Sequence, residues 1–213
     1  MAFKSILERI QKELVKKDKV REEIQAGMRR ATRLSKQAIL FTHQNRFDEA
    51  KKLIEEANDL LTRLKKVSRK HPDLVHTSIV DAAFQEYAEA QLLLGLVKKD
   101  QFVAPEEIGV PLTSYVLGAA DVIGELRRRT LDSLRSGDVD RSDKCLQLME
   151  HIYAELIAMD DAYLLIPGLR RKCDVARHLI ETTRGEVTIE TRRRSLETAI
   201  KKLGKTIERK TKV

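Results

Sequence analysis

Apolar side chains recur along most of this chain at alternating steps of three and four residues, the spacing that lines one face of a helix. Ile6, Ile10, Leu14, Ile24, Leu34, Ile39 and Leu40 mark a first helix from about residue 3 to about residue 44, with Gly27 as an interior glycine. The second begins near Phe47-Asp48, carries Ala50, Leu53, Ile54, Ala57, Leu60, Leu61 and Leu64, and ends before Pro72. Asp73 is the predicted cap of a third helix that reaches Lys98-Lys99-Asp100, and residues 101–111, with Pro105, Gly109 and Pro111, read as the longest loop. A fourth helix runs from about Thr113 to Arg135; Ser136-Gly137-Asp138 ends it and caps a fifth that reaches about Ala158. Pro167 and Gly168 introduce a sixth helix ending at Arg184-Gly185. The last, about 188–209, has an apolar edge of Ile189, Leu196, Ile200, Leu203 and Ile207 beneath a basic face, a pattern that argues against a disordered tail.

These elements predict an all-α, single-domain bundle of about seven helices. Residues 1–187 form the main domain, and 188–213 a basic amphipathic helix packed on it or extending from it. Composition agrees: 42% hydrophobic residues in 213 suffice for a core, and four Pro and nine Gly are too few for a sandwich with frequent turns. Cys145 and Cys173 form neither a CxxC motif nor a disulfide framework. The charged start Phe3-Lys4-Ser5-Ile6-Leu7-Glu8-Arg9 is unlike a signal peptide, and no window has the apolar length of a membrane span. A cytoplasmic protein with reduced thiols is expected.

The net charge of +8 is unevenly spread, because residues 191–213 alone carry +7. The remainder is nearly balanced, so any anion-binding face there is a local patch.

The positions that do not fit a plain bundle are acidic. Ile79, Ala82, Glu86, Glu89, Leu93 and Leu96 follow the spacing of a packed seam, and Asp121 and Glu125 lie in Ala119-Ala120-Asp121-Val122-Ile123-Gly124-Glu125-Leu126. Buried anions need protons, basic partners or a metal. Two such pairs facing one another would offer an oxygen-lined site suited to Mg²⁺ or Mn²⁺, whose task would be to activate water and stabilise charge on a phosphate. Structural ion pairs are the competing explanation. Small residues at Gly118 and Gly124 would let another helix approach closely.

Other chemistries find less support. None of His43, His71, His76, His151 and His178 has Glu three residues before it, so the di-iron bundle pattern is missing. No zinc spacing or Ser-His-Asp arrangement is visible, and Gly204-Lys205-Thr206 has Ala199 where a phosphate loop needs its first glycine. Basic clusters at Arg29-Arg30-Arg33-Lys36 and Arg170-Arg171-Lys172-Arg177 read as solvated faces with salt bridges to nearby acids. Arg127, Arg128 and Arg129 begin two residues after Glu125, and at least one is placed to meet a phosphate at the acidic site. Arg192, Arg193 and Arg194 open the basic tail and are further candidates for phosphate contact. No aromatics interleave with Arg127–Arg129, so backbone-led, sequence-tolerant binding is expected rather than base stacking.

Several segments carry a family resemblance. Arg21-Glu22-Glu23-Ile24 resembles the opening of translin. Gln85-Glu86-Tyr87-Ala88-Glu89-Ala90, Tyr115-Val116-Leu117-Gly118-Ala119-Ala120-Asp121-Val122-Ile123-Gly124-Glu125-Leu126 and Ser133-Leu134-Arg135-Ser136-Gly137-Asp138 resemble matching segments of translin-associated factor X, although the loop before Tyr115 is shorter. The resemblance covers most of residues 15–187 and is nearest to the catalytic factor X branch. It implies a bundle of about seven helices that assembles into a hollow, octamer-like barrel around RNA or single-stranded DNA. It also implies a divalent-metal-dependent endoribonuclease, with the metal-binding and catalytic acids on Glu86, Glu89 and Asp121 and a fourth acid at Glu125. One chain with features of both branches points to a homo-oligomer. The alternative is a translin-like module that binds RNA or single-stranded DNA without cutting it.

Overall fold

The computed structural model describes residues 3–70 and 78–211; the predicted cap Asp73 lies outside them, as do His71 and His76. Among the described residues the protein is all-α, as its periodicity predicts, with seven α-helices and one 3₁₀ turn at Asp160–Leu164. None of these helices is long and apolar enough to cross a membrane. The chain divides into two compact units, Met1–Ala119 and Ala120–Val213, with the boundary inside the fifth helix.

In the first unit, α1 (Phe3–His43) and α2 (Phe47–Lys70) form an antiparallel hairpin. Its turn places Asn45 at φ 58°, and the Arg46 amide returns to the Phe41 carbonyl at 2.9 Å, closing the end of α1. The buried positions Ile24, Met28, Ala31, Ser35, Ala38 and Thr42 on α1, and Ala50, Ile54, Ala57, Leu61 and Leu64 on α2, alternate steps of four and three. That is the repeat of a coiled-coil seam, and its alanines let the helices approach. Gly27 is more than a tolerated glycine here: a Cβ on it would lie 2.7 Å from Leu64 Cδ1, so its bareness makes room for that leucine. Residues before Ile24 on α1 bury almost nothing, leaving Phe3, Leu7, Ile10 and Leu14 exposed.

The third helix, α3 (Ser78–Lys99), packs on this hairpin. The stretch read as the longest loop contains one helical turn, α4 (Pro105–Ile108), which the sequence pattern missed. Local chemistry builds it: Pro105 starts it, the Ala104 amide donates to Glu107 Oε1 at 3.1 Å, and Gly109 ends it at φ 65°. Tyr115 Oη donates to the Val103 carbonyl at 2.7 Å and ties the start of α5 (Leu112–Arg135) to this segment.

In the second unit, α5 continues with Val122, Ile123, Leu126 and Thr130 buried. Gly137 at φ 79° ends it, and Asp138 caps α6 (Val139–Ala158) by accepting the Arg141 amide at 3.0 Å, as expected from Ser136-Gly137-Asp138. The last element corrects the sequence reading. Arg184-Gly185 does not end a helix; α7 runs unbroken from Leu169 to Thr211. Leu169, Cys173, Ala176, Ile180, Thr183 and Val187 form its buried stripe, after which the apolar positions move to Ile189, Leu196, Ile200, Leu203 and Ile207, all exposed. The apolar stripe changes face after Val187, two residues past Gly185, and that change mimics a helix end in the sequence.

Candidate functional site

On α3 the two acids occupy different depths. Glu89 is buried between Ala88 and Ala90, with Tyr87, Leu92 and Leu93 in the same core, and burial pushes the Tyr87 phenol up from its usual range. Glu86 sits at the edge of that core, with its carboxylate 3.8 Å from Lys36 Nζ on α1. The predicted seam is thus rotated at its start: Ala82 is exposed, while Val80, Ala83 and Phe84 are buried. From Glu89 onward through Leu93 and Leu96 it holds.

The first turns of α5 lie against this acidic turn of α3. A Cβ on Gly118 would meet the Gln85 carbonyl oxygen at 2.8 Å and the Ala88 Cβ and Glu89 amide at 3.0 Å, so this close approach requires glycine. Gly124 does not play the predicted part, since a Cβ there would have nothing within 4 Å.

Asp121 and Glu125 lie on the second unit's part of α5, both partly exposed. Asp121 accepts a hydrogen bond from Lys172 Nζ on α7, and each side chain of the pair keeps 28% of its exposure. Beside the pair is a cavity of about 510 Å³ lined by Gly124, Arg171, Val175 and Leu179 among others. Lys36 and Lys172 both belong to clusters read from sequence as faces with salt bridges. What sequence could not supply was that their partners are two of the four candidate acids.

The arginines after Glu125 separate into three roles. Arg127 is committed to α7: its guanidinium donates to Glu186 at 3.1 Å and to the Thr183 hydroxyl. Arg129 is buried, and burial lowers its pKa from the usual arginine value, with Arg141 adding to the effect. Only Arg128 of the three is exposed. In the tail, Arg193 pairs with Glu190 and Glu197, Arg194 with Asp140 at 3.0 Å, and Arg192 is exposed. Among the described residues, no three His, Cys, Asp or Glu side chains are gathered as a metal cluster.

Comparison with known proteins adds the family. An uncharacterized protein of Methanocaldococcus jannaschii is 31% identical over 176 residues, covering 82% of this chain and 78% of the relative. The crystal structure of AfC3PO is similar with a TM-score of 0.79 at 30% identity, covering 88% of this chain and 98% of that one. The structure of AfC3PO in complex with duplex RNA gives 0.78 at 29%, covering 88% and 97%. Apo-NeC3PO gives 0.77 at 26%, covering 86% and 96%. The Translin family model matches residues 19–182, and the chain belongs to the translin family.

Proposed function

We propose that this chain is a divalent-metal-dependent endoribonuclease of low sequence preference, acting on RNA, chiefly single-stranded, inside a cytoplasmic homo-oligomer of translin type. Family membership supports the reading, and so does the similarity to a C3PO solved with duplex RNA. The observation that carries it is Asp121. It is a carboxylate set among Ala119, Ala120, Val122 and Ile123 that already holds a cationic group at the side of a cavity.

The donor chemistry fits Mg²⁺ or Mn²⁺. Glu86, Glu89 and Asp121 would hold the ion, with Glu125 as a further ligand, and all four offer only hard carboxylate oxygens. Two of them face a lysine ammonium, so these positions favour positive charge. When bound, such an ion supplies water activation and charge stabilisation at a phosphodiester. If it is not a ligand, Glu125 would accept a hydrogen bond from the attacking water and orient it, and Arg128 would hold the phosphate backbone through its guanidinium. Arg192 and its neighbours in the basic tail add sequence-tolerant attraction for the same backbone.

The two lysine pairs also favour a second reading, in which the acids are structural and the protein binds RNA or single-stranded DNA without cutting it. The test is incubation of labelled single-stranded and duplex RNA with the protein in Mg²⁺, in EDTA, and with the Glu86→Ala/Glu89→Ala protein. Cleavage confined to the first condition is the expected result. Intact RNA throughout, with a stable complex by gel shift, would replace the nuclease with the binding module.

A further inference from the structure

The apolar positions at the end of α7 face away from the core of their own unit. After Val187 the stripe restarts at Ile189, and two residues turn a helix by about 200°, so the second stripe lies on the side opposite the first. Arg194, one heptad beyond Val187 and on the first stripe's side, pairs with Asp140 at the start of α6 at 3.0 Å. On the other side Ile189, Leu196, Ile200, Leu203 and Ile207 keep 55% to 69% of their surface. The family model stops at residue 182, so this second stripe lies outside the stretch it matches.

Its spacing is that of a coiled-coil seam. Ile189, Arg193, Leu196, Ile200, Leu203 and Ile207 alternate steps of four and three, and no other large apolar residue between them widens the stripe. Written as heptads, Ile200 and Ile207 take position a, and Leu196 and Leu203 take d, the choice that favours two parallel strands. Arg193 is the charged residue at a, where one polar side chain fixes register; Glu190 and Glu197 of its own helix lie 3.4 and 3.6 Å from its guanidinium. In a parallel pair, Arg192 at g stands beside Glu197 at e of the second copy, and the reverse pair forms by symmetry. The next such positions, Ala199 and Gly204, carry no charge, so like charges do not meet there. Arg194, Lys201, Lys202 and Lys205 fall on the outer positions. The segment continues a helix already packed in its first half, so pairing does not have to nucleate it. A membrane surface fits less well, because Glu190 and Glu197 flank the stripe and no aromatic residue lies in it.

We propose that residues 189–207 of α7 form a parallel, two-stranded coiled coil with the same segment of a second copy of this chain. The contact is separate from the cleavage assignment, and it leaves the basic outer positions of both tails open to the RNA backbone. The test is disulfide trapping in the full chain, with Leu203→Cys at d and Lys205→Cys at f, each checked for helicity by circular dichroism. Wild type is the background, since Cys145 and Cys173 are buried. Under mild oxidation Leu203→Cys is expected to give a reducible dimer at least about tenfold faster than Lys205→Cys, because only d positions of a parallel pair meet at disulfide distance. Adding Arg192→Glu should slow that linking about threefold, a difference that about 1 M salt removes. Equal rates at the two positions, or no linking at either, overturns the proposal. Linking that ignores Arg192→Glu overturns the parallel register. Co-sedimentation of wild type with phosphatidylserine and phosphatidylcholine vesicles runs alongside, and vesicle binding without Leu203→Cys linking would replace the second copy with a membrane surface. RNA cleavage is not part of the readout, so failure here leaves the nuclease reading standing.

Discussion

The acid pair on α3 and the acid pair on α5 are embedded in similar sequence, small and apolar on both sides, yet the fold holds them by different means. Glu89 is taken into the core of the first unit, where Ala88, Ala90 and Leu93 are buried as well, and the Gly118 backbone closes against the same turn. Asp121 stays at a cavity wall and is held by charge, through Lys172. One carboxylate is buried in a core and the other stands at a cavity wall beside an ammonium. An acid inside an apolar helical stripe is therefore not one kind of site; its depth in the fold decides how far its charge is removed from water.

The largest effects should come from the acids themselves. Glu89→Gln and Asp121→Asn should each lower RNA cleavage by about 100- to 1,000-fold, the scale of losing one group that stabilises transition-state charge. RNA affinity by gel shift should be retained in both. Stability adds a check: Asp121→Asn leaves the Lys172 ammonium without its counter-charge and should lower the melting temperature, whereas Asp121→Asn combined with Lys172→Met should recover part of the loss.

Packing beneath the α3 pair comes next. Leu93 has no exposed surface, and Leu93→Ala should cost about 2–5 kcal/mol in urea unfolding. Gly118→Val puts atoms where the Gln85 oxygen and Glu89 nitrogen lie and should cost about 1–3 kcal/mol, with cleavage falling further than stability alone explains. A Gly118→Val protein of normal stability would show that the α3 acids are not held by that approach.

Much of this was legible before any coordinates. The repeats in α1 and α2, the Ser136-Gly137-Asp138 stop and cap, and the unusual acids all follow from helical spacing and cap chemistry. Three features were not. The turn at Pro105–Ile108 is too short for periodicity to register and rests on one proline, one glutamate and one glycine. The unbroken α7 was hidden because its apolar positions change face after Val187, next to Gly185. Lys36 and Lys172 look like any solvated lysines, since their partners lie 50 and 51 residues away in sequence. Long-range ion pairs leave no local pattern in the sequence, and each acid pair has one.

The smallest effects concern the arginines. Arg128→Ala should reduce the slope of log affinity against log salt by about 1, as expected for one lost phosphate contact. Arg127→Ala should leave that slope alone and cost about 1 kcal/mol of stability, because its guanidinium serves Glu186 and Thr183. The reverse pattern would mean that Arg127 leaves α7 to meet RNA.

The central claim is that both acid pairs serve one metal-dependent cleavage. Its most direct test is the rate of cutting a labelled single-stranded RNA as Mn²⁺ is titrated, for wild type, Glu89→Gln and Asp121→Asn, with RNA binding measured in parallel. The account predicts saturable, metal-dependent cleavage by wild type and none by either variant at any Mn²⁺ concentration, with all three binding RNA alike. Cleavage at the wild-type rate in either variant, or in EDTA, would contradict it.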